Sequence, residues 1–382
     1  MMASVNVAQD PARNGIRVMI VDDSVVIRGL LSRWLKESPG IEVVAACRNG
    51  KVAVEQVERV EPDIVVLDIE MPEMDGMTAL PLLLAKKPGL KIIMASTLTK
   101  RNAGISMKAL SLGAVDYIPK PEGNHGVTTS ADFRRDLIAK ITAIGQARPR
   151  RVSPRPAFAK PATSGSARKM GAVSLREADA SVSLVPFSNV KPSVLAVGSS
   201  TGGPQALTRL FTAISPVLDK VPAVVTQHMP ATFTAILAEN LAAASRRVCK
   251  EAEDGEVLRA GVIYVAPGGK HLVLNKGAGS VSARLDDGAP VNFCKPAVDP
   301  MFDSIAAAYG SAVLGVILTG MGHDGRDGGI SIRKAGGNII AQDEASSVVW
   351  GMPGAAAQAG ICSAVLPIDQ IANKVIEILK RG

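Results

Sequence analysis

The sequence contains few cysteines, and no apolar run in it is long enough to cross a membrane. Its four cysteines are scattered, with no C-x-x-C pair and no histidine close in sequence: Cys47, Cys249, Cys294 and Cys362. This spacing argues against a zinc site or a disulfide framework and predicts four small buried side chains. The longest apolar runs are interrupted by glycine, proline or charge, and the N-terminus lacks the pattern of a secretory signal. We therefore expect a cytoplasmic protein with no membrane insertion.

Aromatic residues are also scarce, at 3% of the chain, although the net charge is +8. A basic protein with few aromatic side chains has few platforms on which nucleic-acid bases could stack. Much of the positive charge lies in residues 148–169, a segment rich in proline, alanine and serine. We interpret this segment as part of a solvated linker and expect no nucleic-acid partner. The chain of 382 residues is long enough for two domains.

The first half of the chain alternates short apolar runs with amphipathic segments. Residues 1–15 are polar and are predicted to form a flexible N-terminus, and five predicted strands follow, at 16–21, 42–46, 63–67, 91–95 and 115–118. This alternation predicts an α/β domain with a parallel sheet over residues 16–143. Residues 144–190 show no sustained period and are predicted to be a flexible basic linker.

Polar clusters follow the carboxyl ends of these strands, where parallel sheets place their sites. Asp22 and Asp23 follow the first strand and Asp68 follows the third, and a hydroxyl and Lys120 follow later ones. Three carboxylates in one place repel each other unless a cation is bound, and oxygen ligands suit Mg²⁺. With such a cation present, one carboxylate could attack a phosphoryl donor while Lys120 neutralises the phosphoryl oxygens.

These motifs resemble the receiver domain of two-component response regulators. The resemblance rests on Val21-Asp-Asp-Ser, Leu67-Asp-Ile-Glu-Met-Pro-Glu-Met-Asp-Gly76, Ser96-Thr97 and Lys120-Pro121. It implies a flavodoxin-like fold in which Asp68 is the phospho-acceptor and Lys120 contacts the phosphoryl group. Mg²⁺ would be bound by Asp22, Asp23, Asp68 and the backbone carbonyl of Glu70. The position along the strand favours Ser96 as the switch hydroxyl, with the adjacent Thr97 as the alternative.

The α/β alternation resumes at residue 194 and predicts a second domain over 191–382. The expected architecture is a Rossmann-like, doubly wound and mostly parallel sheet. Residues 262–269 and 270–274 are predicted to be two paired strands of an insertion, joined by a glycine turn.

The first strand of this domain ends in Gly198-Ser-Ser-Thr-Gly202, which matches the G-x-S-x-G nucleophile elbow. Such a turn holds Ser200 at the start of a helix, where its hydroxyl could act as a nucleophile. Two other interpretations fit the same letters: a turn that binds a nucleotide phosphate, and a structural turn with a capping serine.

Two further strand ends supply partners for Ser200. His228 and Asp324 each follow a different strand, so one edge of the sheet could hold a serine, a base and a carboxylate that orients the base. The other histidines fit less well. His125 lies in the first domain, His271 lies in the predicted insertion, where we expect it to be exposed or to face the substrate, and His323 adjoins Asp324. The backbone amides of Met321, Gly322 and Thr201 are candidate oxyanion donors.

The second half also resembles the catalytic domain of the CheB family of chemotaxis protein-glutamate methylesterases. The motifs are Gly198-Ser-Ser-Thr-Gly-Gly203, Thr226-Gln-His-Met-Pro230, Ala252-Glu-Asp-Gly255, Val265-Ala-Pro-Gly268, Leu318-Thr-Gly-Met-Gly-His-Asp-Gly325, Asp343-Glu-Ala-Ser-Ser347 and Gly351-Met-Pro353. One departure from the family is His323, where asparagine is more usual.

The resemblance implies that Ser200 is the nucleophile, His228 the base, Asp324 its orienting partner and Met321 part of the oxyanion hole. The substrates would be glutamate γ-methyl esters on the cytoplasmic domains of methylated chemoreceptors, with glutamine deamidation as a second activity. A chemotaxis histidine kinase would be the phosphodonor, the esterase site would need no cofactor, and we expect a monomer. The alternative function is a response regulator that binds DNA or is otherwise non-catalytic.

Overall fold

A computed structural model describes residues 15–97, 99–120, 127–146 and 183–380, with the side chains of 127–130 left out. The N-terminal prediction for residues 1–14, the linker prediction for 147–182 and His125 all lie outside the described residues. In the described part of the chain, no helix is long and apolar enough to span a membrane.

The first half of the chain forms alternating strands and helices. Their bounds are β1 Ile16–Val21, α1 Val25–Lys36, β2 Ile41–Cys47, α2 Gly50–Val60, β3 Ile64–Asp68, α3 Gly76–Lys86, β4 Lys91–Ser96, α4 Lys100–Ser111, β5 Asp116–Pro119 and α5 Val127–Gln146. The five strands pair in parallel in the order β2-β1-β3-β4-β5. This is the flavodoxin-like strand order. In such sheets ligands bind at the carboxyl ends of β1 and β3, because the chain passes from β1 to β2 on one side and β3 pairs with β1 on the other. The predicted α/β class is confirmed.

The second half builds a larger parallel sheet. Its elements are β6 Val194–Ser199, α6 Gly203–Ile214, a 3₁₀ helix Ser215–Lys220, β7 Ala223–Gln227, α7 Ala231–Ser245, β8 Val248–Glu251, β9 Val262–Val265, β10 His271–Lys276, β11 Val281–Asp286, α8 Val298–Tyr309, β12 Val313–Ile317, α9 Arg326–Lys334, β13 Asn338–Gln342, α10 Met352–Gln358, β14 Ala364–Leu366 and α11 Ile368–Lys380. Seven strands follow the order β14-β13-β12-β6-β7-β9-β8, all parallel. The expected doubly wound sheet is confirmed.

The composition of the central strands explains their position in this sheet. Strands β6 and β12 read VLAVGS and VLGVI, and every residue of both is buried. Such continuous apolar runs suit a parallel sheet that is covered by helices on both faces. The chain leaves β6 toward β7 on one side, and β12 pairs with β6 on the other. The carboxyl ends of β6 and β12 therefore flank a switch point, where sheets of this kind bind ligands.

The predicted pairing of residues 262–269 with 270–274 is wrong. Strand β9 lies inside the main sheet between β7 and β8, while β10 pairs with β11 in a separate antiparallel sheet. Gly268 explains the error, because an added Cβ there would lie 2.1 Å from the backbone nitrogen of Ala231. This glycine allows the chain to approach the start of α7 closely, so its presence does not signal a hairpin turn.

The two halves contact each other through α4 and β5 of the first half and α6 and α7 of the second. The Gln205 side chain on α6 donates hydrogen bonds to the carbonyls of Leu110 (2.5 Å) and Ala114 (2.7 Å), which lie at the end of α4 and just beyond it. The ring of Tyr117 on β5 stacks on Phe233 of α7, with centroids 4.2 Å apart and planes at 7°. A buried apolar cluster that includes Met107 and Tyr117 continues into Phe233 and Leu237. The contact between the halves is therefore both apolar and hydrogen-bonded.

Candidate active site

The acidic cluster predicted in the first half is formed. Asp22, Asp23 and Asp68 each place a carboxylate oxygen so that these atoms lie within 4.8 Å of one another. Lys120 Nζ lies 2.6 Å from Asp22 Oδ2 and 2.8 Å from Asp68 Oδ1. Burial raises the pKa of Asp68 to about 6, and Lys120 opposes this rise. One lysine cannot balance three carboxylates, so the cluster is suited to a cation with hard oxygen ligands.

The two candidate switch hydroxyls have different environments. Ser96 is buried at the end of β4 and accepts a hydrogen bond from the Ser106 hydroxyl at 3.0 Å. Thr97 is exposed and accepts a hydrogen bond from the Asn102 side chain at 2.7 Å. The structure thus places both hydroxyls on the edge that holds Asp68, each with a partner on α4. The assignment of Ser96 stays a prediction.

In the second half, the turn after β6 holds Ser200 in a fixed backbone conformation. The Ser200 N–H donates to the Thr319 carbonyl at 3.0 Å, and its carbonyl accepts from Gly203 N–H at 2.7 Å. Gly202 has a φ of +75°, a left-handed conformation that glycine adopts without strain. An added Cβ at Gly203 would lie 1.9 Å from Gln227 Oε1, so a larger residue would not fit. Glycine is therefore favoured at Gly202 by the backbone conformation and at Gly203 by the lack of space for a side chain.

The predicted base and its carboxylate are in contact. His228 Nε2 lies 2.7 Å from Asp324 Oδ2, and the Asp324 side chain is only 2% exposed. Burial would lower the pKa of His228, but its hydrogen bonds with Asp324 and Cys294 outweigh this effect and raise the pKa to about 10. Burial would raise the pKa of Asp324, but His228 and two backbone N–H groups lower it to about 2. The pair is therefore an ionised carboxylate that fixes one nitrogen of the imidazole.

Helix α8, which the sequence reasoning did not identify, holds Asp324 in place. The N–H groups of Val298 (2.6 Å) and Asp299 (3.0 Å), in its first turn, donate to the Asp324 carboxylate. The positive end of a helix favours an ionised carboxylate. Asp299 in turn accepts from Gly325 N–H at 2.9 Å and Gly328 N–H at 2.8 Å at the start of α9. The only signal in the sequence for the capping role of Asp299 was its position as an acidic residue in the first turn of a helix.

The role of Cys294 was also missed. The prediction of four buried cysteines is wrong for Cys249 and Cys294, which are both half-buried. Cys294 Sγ lies 3.3 Å from His228 Nδ1, the ring nitrogen that does not contact Asp324. Ser200 and His228 lie on neighbouring strand ends, but no hydrogen bond joins their side chains in the described structure. All four cysteines have free thiols.

The two other described histidines are not alternative bases. His271 is buried, although its position in a predicted turn had suggested an exposed side chain. Its ring bonds to the backbone at Ala289 (3.0 Å) and Ala297 (3.1 Å), which anchors the chain just before α8. His323 is exposed, beside Asp324.

Two of the predicted oxyanion donors lie in the turns after β6 and β12, which a hydrogen bond joins at Ser200. Thr201 follows it directly, and Met321 lies in the turn after β12, whose Thr319 accepts the Ser200 N–H. Within the described residues, neither the Thr201 N–H nor the Met321 N–H donates a hydrogen bond to a protein group. Unpaired N–H groups in these turns could bind a developing negative charge on a substrate oxygen.

Comparisons with known proteins match both halves of the chain. Residues 195–375 match the family model of the CheB methylesterase, and residues 18–131 match that of the response regulator receiver domain. A protein-glutamate methylesterase/protein-glutamine glutaminase of group 2 operon from Bradyrhizobium diazoefficiens is 56% identical over 379 residues, covering 94% of this chain and 93% of that protein. The protein-glutamate methylesterase/protein-glutamine glutaminase of Nitrobacter hamburgensis is 57% identical over 364 residues, covering 95% of this chain and 94% of that protein.

Among solved structures, the catalytic domain of the Thermotoga maritima CheB methylesterase is 42% identical, with a TM-score of 0.48. It covers 50% of this chain and 100% of that one. The family models and the curated relatives do not support the alternative of a DNA-binding or otherwise non-catalytic response regulator.

Proposed function

The chain belongs to the CheB family, in which a receiver domain accompanies a methylesterase domain, and we propose that it is a phosphorylation-regulated serine esterase acting on chemoreceptors. Its substrates are glutamate γ-methyl esters, and it also deamidates glutamine at receptor sites. The observation that carries this proposal is the 2.7 Å contact between His228 and Asp324 on the edge that holds Ser200. The proposed domains are the receiver, whose helix α5 runs three residues past the predicted boundary to Gln146, and the catalytic domain at 191–382, joined by a linker between them. The proposed location is the cytoplasm.

In the proposed reaction, His228 accepts the proton of the Ser200 hydroxyl as the oxygen attacks the ester carbonyl. The N–H groups of Thr201 and Met321 bind the oxyanion. His228 returns the proton to the departing methoxide, so methanol leaves and a glutamyl ester of Ser200 remains. Water, deprotonated by His228, hydrolyses this ester and restores the serine. With glutamine as substrate the leaving group is ammonia, and the later steps are the same.

Asp324 contributes by fixing the tautomer of the base. Because its carboxylate is ionised and accepts hydrogen bonds only, Nε2 of His228 carries the proton between them. The lone pair of the neutral ring then lies on Nδ1, which must accept the Ser200 proton. The α8 amides favour the ionised carboxylate and stabilise the imidazolium that forms.

In the proposed regulation, Asp68 is phosphorylated with a chemotaxis histidine kinase as the donor. Asp22, Asp23, Asp68 and the backbone carbonyl of Glu70 would hold Mg²⁺, which neutralises charge on the transferred phosphoryl group when it is bound. Lys120 contacts the same group, and Ser96 is the proposed switch hydroxyl. The contacts of Gln205 and Tyr117 between the halves favour the closed arrangement. Phosphorylation then acts by shifting the equilibrium toward an open one.

A direct test of the catalytic assignment is covalent labelling with a fluorophosphonate, which reacts only with an activated serine hydroxyl. Peptide mass spectrometry of the wild type should place the label on Ser200 and leave the neighbouring Ser199 unmodified. His228→Ala and Asp324→Ala should label much more slowly. Labelling of Ser200 at the same rate in all three proteins would remove His228 and Asp324 from the mechanism.

A further inference from the structure

Cys294 occupies the position on the imidazole that the nucleophile needs. Asp324 engages Nε2 of His228, so the ring can accept the Ser200 proton only at Nδ1, and Cys294 Sγ lies 3.3 Å from that atom. A thiol donates its S–H to the Nδ1 lone pair, and a thiolate would pair with a protonated ring. In both states Nδ1 has no free lone pair. A contact between Cys294 and His228 therefore competes with a contact between Ser200 and His228.

We propose that Cys294 is a positioning residue that holds His228 away from Ser200, and that the receiver domain stabilises this contact through Arg135 and Phe293. This proposal rests on the proposed function, because it assigns His228 the role of base. In this proposal, the contact of Cys294 with His228 restrains the base in addition to the contacts between the domains.

The loop that carries Cys294 is held in a defined shape. Cys294 N–H donates to the Val291 carbonyl at 2.8 Å, and Val291 N–H donates back to the Cys294 carbonyl at 3.1 Å. The two residues between them, Asn292 and Phe293, have φ values of 51° and 63°. Left-handed conformations are unusual for residues other than glycine and require a surrounding structure that holds them. The Asn292 side chain supplies such a hold by donating to Asp299 Oδ2 at 3.1 Å.

The receiver domain reaches this loop directly. The guanidinium of Arg135 on α5 lies 5.3 Å from the centroid of the Phe293 ring. Phe293 is 86% exposed, so its ring has little other support. A cation–π contact at an exposed site corresponds to a factor of about two to five in an equilibrium. Displacement of α5 would therefore loosen the tight turn that presents Cys294 to His228.

The expected result of removing the thiol is a faster unphosphorylated enzyme. Loss of one hydrogen bond to Nδ1 should raise basal kcat for methanol release from methylated chemoreceptor membranes about fivefold, with KM unchanged. Stimulation by a small phosphodonor should fall by the same factor. Cys294→Ser retains a donor and should stay within about twofold of wild type. The matched control is Cys249→Ala, which alters a half-buried cysteine on β8 and should leave both rates unchanged.

Arg135 tests the link to the receiver. Arg135→Ala should raise basal kcat about two- to fivefold. If Arg135 acts through Cys294, the double variant Arg135→Ala/Cys294→Ala should be no faster than Cys294→Ala alone. Multiplied effects in the double variant would overturn the proposed link between Arg135 and the thiol.

Imidazole NMR separates this proposal from the proposed function. The chain has four histidines, so full-length protein labelled with ¹⁵N-histidine gives at most four ring systems. The Nδ1 resonance of His228 should shift in Cys294→Ala and stay in place in Cys249→Ala, even if no variant releases methanol. An unshifted resonance, or a fall in basal kcat in Cys294→Ala, would overturn the proposal. So would turnover in Ser200→Ala that Cys294→Ala abolishes, because the thiol would then be a nucleophile.

Discussion

Asp324 and Asp299 lie at the starts of α9 and α8, and each carboxylate accepts backbone hydrogen bonds from the start of the other helix. Asp324, just before α9, binds the first-turn N–H groups of α8, and Asp299, in the first turn of α8, binds Gly325 and Gly328 at the start of α9. This reciprocal capping fixes the two helices against each other and sets the direction of the carboxylate that contacts His228. The stability of the protein is thereby coupled to the catalytic geometry.

Asp299→Ala should destabilise the protein and slow catalysis. It leaves the Gly328 N–H buried without an acceptor, while Gly325 N–H keeps Asp324 Oδ1 at 3.1 Å, and should cost about 1–3 kcal/mol in the free energy of unfolding. Asp299→Asn keeps one acceptor oxygen and should lose less. Urea unfolding and kcat, measured on the same samples, test this. The account of reciprocal capping would be wrong if the alanine variant unfolded at the wild-type urea concentration.

The rate of ester hydrolysis should rise with pH across the neutral range. A protonated His228 cannot accept the Ser200 proton, and its pKa is raised to about 10 by Asp324 and Cys294 against the effect of burial. The values of kcat/KM should therefore still be rising above pH 7.5, after subtraction of the rate with Ser200→Ala. A plateau beginning near pH 6.5 would show that the pKa is not raised.

The raised pKa of His228 should make the protein less stable as pH rises, whereas the same rise in pH makes hydrolysis faster. Because the pKa of His228 is raised in the folded state, its contribution to stability is complete below the unfolded value of 6.5 and is lost as pH rises through about 10. The wild type should thus lose stability relative to Asp324→Asn between these pH values. Equal changes in the two proteins in urea unfolding would contradict the assignment.

Loosening the contact between the halves should activate the unphosphorylated enzyme. Gln205→Ala removes two hydrogen bonds to the end of α4, and at about 1 kcal/mol each their loss should raise basal methanol release up to about tenfold. The matched control on the same helix is Thr212→Ala, whose exposed hydroxyl bonds only within α6. Equal rates in both variants would mean that the contact of Gln205 does not restrain catalysis.

Removal of the divalent cation should separate the stimulated rate of methanol release from the basal rate. Excess EDTA should abolish stimulation by a small phosphodonor and leave the basal rate unchanged, because the acidic cluster lies on the other sheet from Ser200. Addition of Mg²⁺ should restore the stimulation. Loss of basal methanol release in EDTA would instead place a metal in the esterase reaction.

The sequence predicted the parts of the site that depend on local pattern, and it missed those that depend on how distant segments pack. Ser200 and His228 follow buried apolar strands, and parallel strands deliver their carboxyl ends to one edge. Asp299 and Cys294 are carried by α8 and the irregular segment before it, so no strand period marks them. Their roles arise from distances of 3.0 Å and 3.3 Å to groups on other elements.

Ser200 is proposed to perform the hydrolysis and Asp68 to regulate it. The most direct measurement is methanol release from methylated chemoreceptors by wild type, Ser200→Ala and Asp68→Ala, each with and without a small phosphodonor and Mg²⁺. We expect a stimulated wild type, an inactive Ser200→Ala and an Asp68→Ala that keeps only the basal rate. Wild-type activity in Ser200→Ala, or full stimulation of Asp68→Ala, would contradict this proposal.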